Sequence, residues 1–501
     1  MTHVHIFRRD FRLEDNTALY ETWTSRNDEQ LELQPKRITR ILPVFFFTPQ
    51  QVTTKNSYKS HHAVQFMIRS LMSLDSAISK TTRGASLLAL FGDEVDCLNT
   101  LLSALGDELV SVSWNKDYTP YSKKRDKRMS TFLTKHNIPH ESFHDLYLIP
   151  PGEGMVHPAS KSPDEVYTVF TPFYKNARSL LKRHEPSPSQ PKPRGLTFVS
   201  KTPTIRSSQK VSPITLKDAC KQFVGKEWTD LLNVEGGREN GEKRLRKIRG
   251  SQFAKFNSKR DQLTYETTYV SAYLKFGCIS PREVFQAMKA SKGDSEPMIR
   301  ELIWRDYYAH IMDKYPHVIG SPYYEKYKSF KWETRTKEFN AWKQGRTGFP
   351  VVDAGMRQLN ETGYMHNRCR MIVSSFLVKL LRVDWRKGER YFAQQLVDYD
   401  VASNNGGWQD AFGSGAGAQP YYRIFNPWEQ PKKYDKDAEY MKQWLPELSK
   451  VPPEILMKWD DPKTREEARE TYAIGKDVYP EPVIDYKTER EQTLKIFKRV
   501  L

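Results

Sequence analysis

The sequence predicts an α/β N-terminal domain built on a parallel, doubly wound sheet, joined to a large all-α C-terminal domain. Three observations carry this. The first third alternates short apolar runs with amphipathic stretches. A Pro-, Ser- and Lys-rich stretch, "HEPSPSQPKPRGLTFVSKTPTIRSSQKVSPI" (184–214), then interrupts the pattern. Beyond residue 215 the strand signals fade and helical periodicity takes over.

The elements follow in order. "VHIFRR" (4–9), "ILPVFFF" (41–47), "ASLLALFGD" (85–93) and "ELVSVSWN" (108–115) read as strands, apolar and ended by turn or polar residues. Between them lie helical patterns, "HHAVQFMIRSLMSLDSAISK", "DEVDCLNTLLSALG" and "PYSKKRDKRMSTFLTKHN". Near-continuous apolar strands alternating with helices mean a parallel sheet covered on both faces. No GxGxxG follows the first strand, so the dinucleotide fingerprint is absent there. The C-terminal helices include "EKRLRKIRGSQFAKFNSKRD", "PMIRELIWRDYYAHIMDKY", "FPVVDAGMRQLNET", "CRMIVSSFLVKLLRVDW" and "KGERYFAQQLV". The expected boundaries are 1–145 for the α/β domain, 146–214 for the linker and 215–495 for the helical domain.

Composition narrows the function. The chain has 501 residues and a formal net charge of +18, which fits a protein held against a polyanion. No apolar run approaches the ~20 residues that span a bilayer. The start, "MTHVHIFRRDF", lacks a secretory apolar stretch. Cys97, Cys220, Cys278 and Cys369 are scattered, which argues against a disulfide framework or a metal site and for a reducing compartment. The expectation is an intracellular protein, cytoplasmic or nuclear, monomeric, without a membrane partner or a metal.

Several clusters could carry chemistry. "EKRLRKIRG" (242–250) crowds basic residues onto two turns, either for an anion or as a solvated face. Thr267, Thr268 and Ser271 precede a helix, where hydroxyls and free N–H groups suit a phosphate; capping alone explains one of them. Glu301, Trp304, Arg305 and Tyr308 recur at helical spacing and share one face, an odd core and a plausible pocket wall. "YMHNRCRMIVSSFLVK" begins polar and turns apolar, and Arg370 has a possible buried partner in Asp398 or Asp400. "NNGGWQDAF" (404–412) sets two asparagines, two glycines and a tryptophan in one run, as a turn built around a ligand would.

Taken together, "HIFRRDFRLEDNTAL", "YLKFGCISPREV", "ELIWRDYY", "TGFPVVDAGMRQLNETGYMHNRCRMIVSSFLVK", "DWRKGERYFAQQLVDYDVASNNGGWQ" and "PYYRIFNPWEQ" resemble the photolyase/cryptochrome family over essentially the whole chain. The nearest subgroup is the class I photolyase of cyclobutane pyrimidine dimers (CPDs). The resemblance implies FAD, active as FADH⁻, and UV-damaged DNA whose dimer is flipped into a pocket. It implies light-driven electron transfer that splits the dimer. It further implies an antenna pigment in the N-terminal domain, a folate or a deazaflavin, near 115–126.

Residue by residue, Thr267, Thr268, Tyr269, Val270 and Ser271 match the flavin-phosphate segment. Phe256 falls, one residue out of register, near a usual phosphate-binding tyrosine. Asp398, Tyr399 and Asp400 match the flavin ring and ribose segment, with Arg370 paired to Asp398. Asn404 matches the asparagine facing the flavin N5. Trp408, Trp385 and Trp342 match the inner, middle and outer members of an electron-transfer chain. Glu301, Trp304, Asn367 and Met371 match the lesion-contacting set; (6-4) photolyases have histidines at the last two positions, so (6-4) repair is rejected. Arg368, Arg423 and Gln430 match DNA contacts, and Arg305 and Tyr308 line the same edge. Asp410 departs from the pattern, since a tryptophan is usual there. A carboxylate cannot stack, at a cost of ~1–3 kcal/mol in lesion binding. Either Phe412 swings in to replace the ring, or Asp410 points away. The competing functions are a cryptochrome-type light sensor, which Asp410 favours, and a DASH-like enzyme for single-stranded DNA.

Overall fold

The computed structural model describes residues 1–25, 38–152, 166–186, 191–225, 234–417 and 423–500. They form two compact units: Met1–Ala254 with Thr268–Lys314, and Lys255–Thr267 with Tyr315–Leu501.

The first unit contains a six-stranded sheet in the order β5-β4-β1-β2-β3-β6. Its strands are β1 (Thr2–Phe7), β2 (Arg40–Phe47), β3 (Leu88–Phe91), β4 (Leu109–Asn115), β5 (His140–Phe143) and β6 (Ser212–Pro213). β1 to β5 pair in parallel, and β6 joins antiparallel to β3. The alternation of side chains builds both faces. Leu42, Val44 and Phe46 of β2 enter a core with Leu98, Leu101, Met129 and Leu133, from the helices Glu94–Leu105 and Pro120–Lys135. Phe45 and Phe47 face the other way, packing edge-on or tilted against Phe11 and Phe223.

β5 and β6 carry no sequence signal. "HESF" is polar and only half-buried, as an edge strand can be, and β6 is two residues long with its proline at the sheet edge. The 146–214 stretch is more ordered than a linker: residues Phe170–Arg183 form a helix. Thr197 and Val199 exchange hydrogen bonds of 2.9 Å with Ile41 at the side of β2. Residues 153–165 and 187–190 of that stretch lie outside the described residues. Helices from the C-terminal half complete this unit, among them Arg238–Arg249, Pro281–Lys289 and Glu296–Lys314. The second starts in a capping box, Ser280 with Glu283, as "SPRE" encodes.

The second unit is helical. Its core gathers Trp342, Phe376, Leu377, Trp385, Phe392, Trp408 and Phe412. The expected helix 369–385 is broken: Asn367–Ser375 is α-helical, Phe376–Leu380 is a π turn, and Arg382 has φ +51°. The C-terminal helix Tyr486–Val500 secures that break, with Glu489 bridging Arg382 (2.6 Å) and Arg335 (2.8 Å). Among the described residues, no helix is long and apolar enough to cross a membrane.

Candidate functional site

In the first unit the candidate wall is the Glu296–Lys314 helix, which carries Glu301, Trp304, Arg305 and Tyr308 on one face. Glu301 is exposed, and the other three are half-buried. Trp304 lies flat on Phe170, ring centroids 3.4 Å apart and planes 5° apart, with Tyr308 beside it at 5.4 Å. Arg305 is committed inward. It donates to the Leu146 carbonyl (2.7 Å) and covers the Tyr147 ring at 4.4 Å. Its guanidinium thus anchors the 146–149 loop. Asp306 and His310, which sequence reasoning passed over, do the same. The Ile149 amide donates to Asp306 (3.0 Å), and His310 Nε2 bonds the Ile149 carbonyl (2.9 Å). Burial pushes the Asp306 carboxyl up to about 7 against the pull of Arg305 and the loop amides. Their i, i+4 spacing was the available signal.

The flavin-phosphate candidates Thr268, Tyr269, Val270 and Ser271 also belong to this unit. Tyr269 has φ +51°, a left-handed turn that reverses the chain before the short helix Ser271–Phe276. That helix start has no side-chain cap. Arg244, from the basic 238–249 helix, sits 4.9 Å above the Tyr269 ring. The same helix is partly neutralised, since Arg238 pairs with Glu283 (2.7 Å) and Glu242 (3.0 Å).

Thr267 belongs to the second unit, 3.2 Å from the Tyr364 hydroxyl. Phe256 is buried there and starts a short helix. Arg370 and Asp398 form a two-pronged pair at 2.9 and 3.1 Å. Burial alone would lower Arg370, yet Asp398 holds its pKa above the ordinary value. Tyr399 is half-buried. Asp400 caps the next helix by accepting from the Ser403 amide (3.1 Å).

That helix is Val401–Phe412, so "NNGGWQDAF" is helical, not a turn. Tertiary anchoring overrides its two glycines. Asn405 and Gln409 are buried on one face and donate to the Val318 carbonyl, both at 3.0 Å. Asn404 is turned differently. Its Nδ2 donates to the Glu389 carbonyl (3.1 Å), so its oxygen is the end left for an incoming N–H. Among the described residues, a side chain added at Gly407 would meet nothing within 4 Å, so no packing by them demands glycine there. Trp408 is buried and its indole N–H has no hydrogen-bond partner among the described residues. A spare acceptor, a bare helix surface and a part-buried ion pair are what a flavin-sized polar ligand needs, so these residues fit FAD.

Trp342, Trp385 and Trp408 share one core. Trp342 is completely buried, edge-on to Trp408 at 6.2 Å, so it cannot be the outer member of a chain leading to solvent. Trp332 is half-buried at the same core, 4.5 Å from Phe412. Gly388, missed in sequence, is required: a Cβ there would come within 2.2 Å of the Trp408 ring.

Asn367 is exposed and lies one turn before the half-buried Met371, its amide 3.8 Å from the sulfur. Arg368 pairs with Asp261 (2.8 Å) and stacks at 4.6 Å on Tyr434. Exposed Arg423 lies 5.5 Å from the Phe425 ring, and Gln430 keeps a buried amide oxygen without a partner among the described residues. His366 caps this helix; burial lowers its pKa to about 4, so it is neutral. Asp410 is half-buried with one oxygen directed at Gly415. Phe412 cannot swing into its place, because it is fully buried among Tyr327, Phe330, Trp332 and Phe497.

A sheet-bearing unit with a helical flavin-type unit defines a flavoprotein of the photolyase/cryptochrome fold. Residues 3–193 match the DNA photolyase family, and residues 298–499 match the FAD binding domain of DNA photolyase. The deoxyribodipyrimidine photo-lyase of Escherichia coli K12 is 34% identical over 511 aligned positions, covering 99% of this chain and 98% of that one. The archaeal photolyase of Sulfolobus tokodaii, solved with two FAD molecules, superposes with a TM-score of 0.81 at 32% identity over the full length of both chains. A Synechocystis cryptochrome superposes with a TM-score of 0.82 at 26% identity, covering 99% of each. The chain belongs to the DNA photolyase family and carries its FAD-binding domain.

Proposed function

We propose that the protein is a light-driven lyase that splits cyclobutane pyrimidine dimers in DNA. The observation that carries this reading is the Asn367–Met371 pair, a neutral amide beside a thioether at 3.8 Å. Members of the family that repair the other major photoproduct use histidines at those positions. Neither Asn nor Met can move a proton at neutral pH, which suits a ring opening that needs only an electron.

Bound FAD, reduced and excited by light, supplies the electron that the dimer takes and returns. The chain's own residues hold and orient. Arg370 with Asp398 and the cap at Asp400 fix the segment that would seat the cofactor, and Thr267 to Ser271 would take its phosphates. Asn404 offers a carbonyl oxygen to an N–H. Glu301 would accept from the base edges, while Trp304 offers a flat apolar surface to the flipped base. Arg368, Arg423 and Gln430 would follow the phosphate backbone. Trp408, with Trp385 and Trp342 in the same core, would relay electrons to the site, and half-buried Trp332 is the better exit to solvent. An antenna pigment, a folate or a deazaflavin, would sit in the sheet-bearing unit. DNA is the proposed partner, and the protein acts as a monomer inside the cell.

The test is dimer loss from a CPD-containing oligonucleotide, single- and double-stranded, under blue light with reduced protein. Repair in light and not in darkness is expected. A second reading, a cryptochrome-type sensor, is favoured by Asp410, the acid where an aromatic ring is usual. Normal photoreduction with no dimer loss would establish that reading instead.

A further inference from the structure

Trp304 and Phe170 lie in flat contact. We propose that Phe170 and Arg300 are positioning residues that hold Trp304 as a stacking platform and thereby set discrimination of damaged from intact DNA. This rests on the assignment of Trp304 to the lesion.

The geometry is specific. Phe170 is the first residue of the Phe170–Arg183 helix and is buried. Its ring lies 3.4 Å from Trp304 and nearly parallel, at 5°. Phe170 closes one face at van der Waals distance, Tyr308 stacks on the indole at 5.4 Å and 29°, and the half-buried ring keeps only part of its surface open. Tyr307 stands edge-on to both rings, at 5.5 and 5.6 Å, and its hydroxyl donates to the Thr168 carbonyl (2.6 Å). That bond ties the chain just before Phe170 to the helix that carries Trp304.

Arg300, one turn before Trp304, places its guanidinium 5.1 Å from Phe170 and 4.9 Å from Tyr174. Glu296 takes Arg178 through two hydrogen bonds (2.8 and 2.9 Å) and also bonds the Tyr174 hydroxyl. The indole is thus clamped in one orientation before any ligand arrives. A ring fixed in advance loses no rotamer freedom on binding, and the saving falls only on a partner that stacks. Intact duplex, with its bases paired inside, gains nothing from it. A cation beside the supporting ring reinforces the pile.

The experiment measures affinity of the flavin-loaded protein for a CPD-containing duplex and for the same duplex intact. It compares the native chain with Phe170→Leu, Phe170→Trp and Trp304→Ala. Phe170→Leu keeps apolar volume but removes the stack. It is expected to lower the damaged-to-intact affinity ratio about three- to tenfold. The loss should fall on affinity and not on the repair rate at saturating lesion. Phe170→Trp should restore the ratio to within about twofold, which a purely structural role would not require. If Trp304→Ala lowers the ratio while Phe170→Leu leaves it unchanged, the inference fails and the assignment of Trp304 survives. If Trp304→Ala has no effect, both fail. Should Phe170→Leu not fold, Arg300→Gln is expected to lower the ratio about twofold, and an unchanged ratio would overturn the proposal.

Discussion

The Glu296–Lys314 and Val401–Phe412 helices both carry candidate site residues, and both pin a passing loop with buried polar side chains. In the first, Arg305, Asp306 and His310 hold 146–149. In the second, Asn405 and Gln409 hold Val318 and neighbouring backbone. They differ in where they put their rings. Trp304 and Tyr308 stay half-buried, whereas Trp408 and Phe412 are sunk in the core. The first helix keeps its rings near the surface, and the second holds its rings inside the core. Polar residues at helical spacing therefore mark two things, a site and its scaffold, and only the tertiary partners separate them.

The comparison predicts unequal sensitivity. The largest effect should come from Asp398→Asn, which leaves Arg370 in place without its anion. A loss of about 3–5 kcal/mol is expected, with little flavin retained on purification. Flavin absorbance per protein and a melting curve check it, and an unchanged flavin content would remove the pair from the cofactor site.

Gly388→Ala comes next. The new methyl would fall 2.2 Å from the Trp408 ring and 2.6 Å from Leu377. Overpacking of this kind costs about 1–3 kcal/mol, and photoreduction should slow because Trp408 must move. Trp304→Ala should instead lower affinity for the dimer by about 1–3 kcal/mol while leaving photoreduction intact. A variant that lost both properties would erase the distinction between the helices.

The smallest effect concerns a scaffold residue. Asp306 keeps its proton up to about pH 7 in the folded chain, but an unfolded aspartate releases it near pH ~4. Between those values the folded state holds the extra proton, so this group's contribution to stability falls as pH rises and reaches its minimum above 7. Asp306→Asn should flatten the decline in melting temperature between pH 5 and 8 and raise stability at pH 8. A decline of unchanged slope would show that Asp306 is ionised when buried.

Much of this was legible beforehand. The four apolar strands follow from hydrophobic runs; opposite charges left Asp398 and Asp400 both open as partners of Arg370, and the family resemblance chose Asp398. β5 was hidden because "HESF" at a sheet edge needs no apolar pattern. The helix at 404–412 was hidden because two glycines outweighed, on paper, the amide anchors at 405 and 409 that the 318–321 backbone supplies. Trp342 was misjudged because burial depth is a tertiary property: its neighbours "NAWKQG" look like a surface helix, yet its ring is wholly enclosed. Asp306, His310 and Gly388 were missed because each acts on a segment distant in sequence.

The most direct test of the account compares Trp304→Ala with Trp408→Phe in the same preparation. Flavin is reduced chemically, then dimer affinity, light-driven repair and photoreduction are measured for each. The account predicts that Trp304→Ala binds the dimer weakly but photoreduces normally, and that Trp408→Phe binds and repairs the dimer but fails to photoreduce. Equal dimer binding and repair by native protein and Trp304→Ala, or no repair by any of the three, would contradict it.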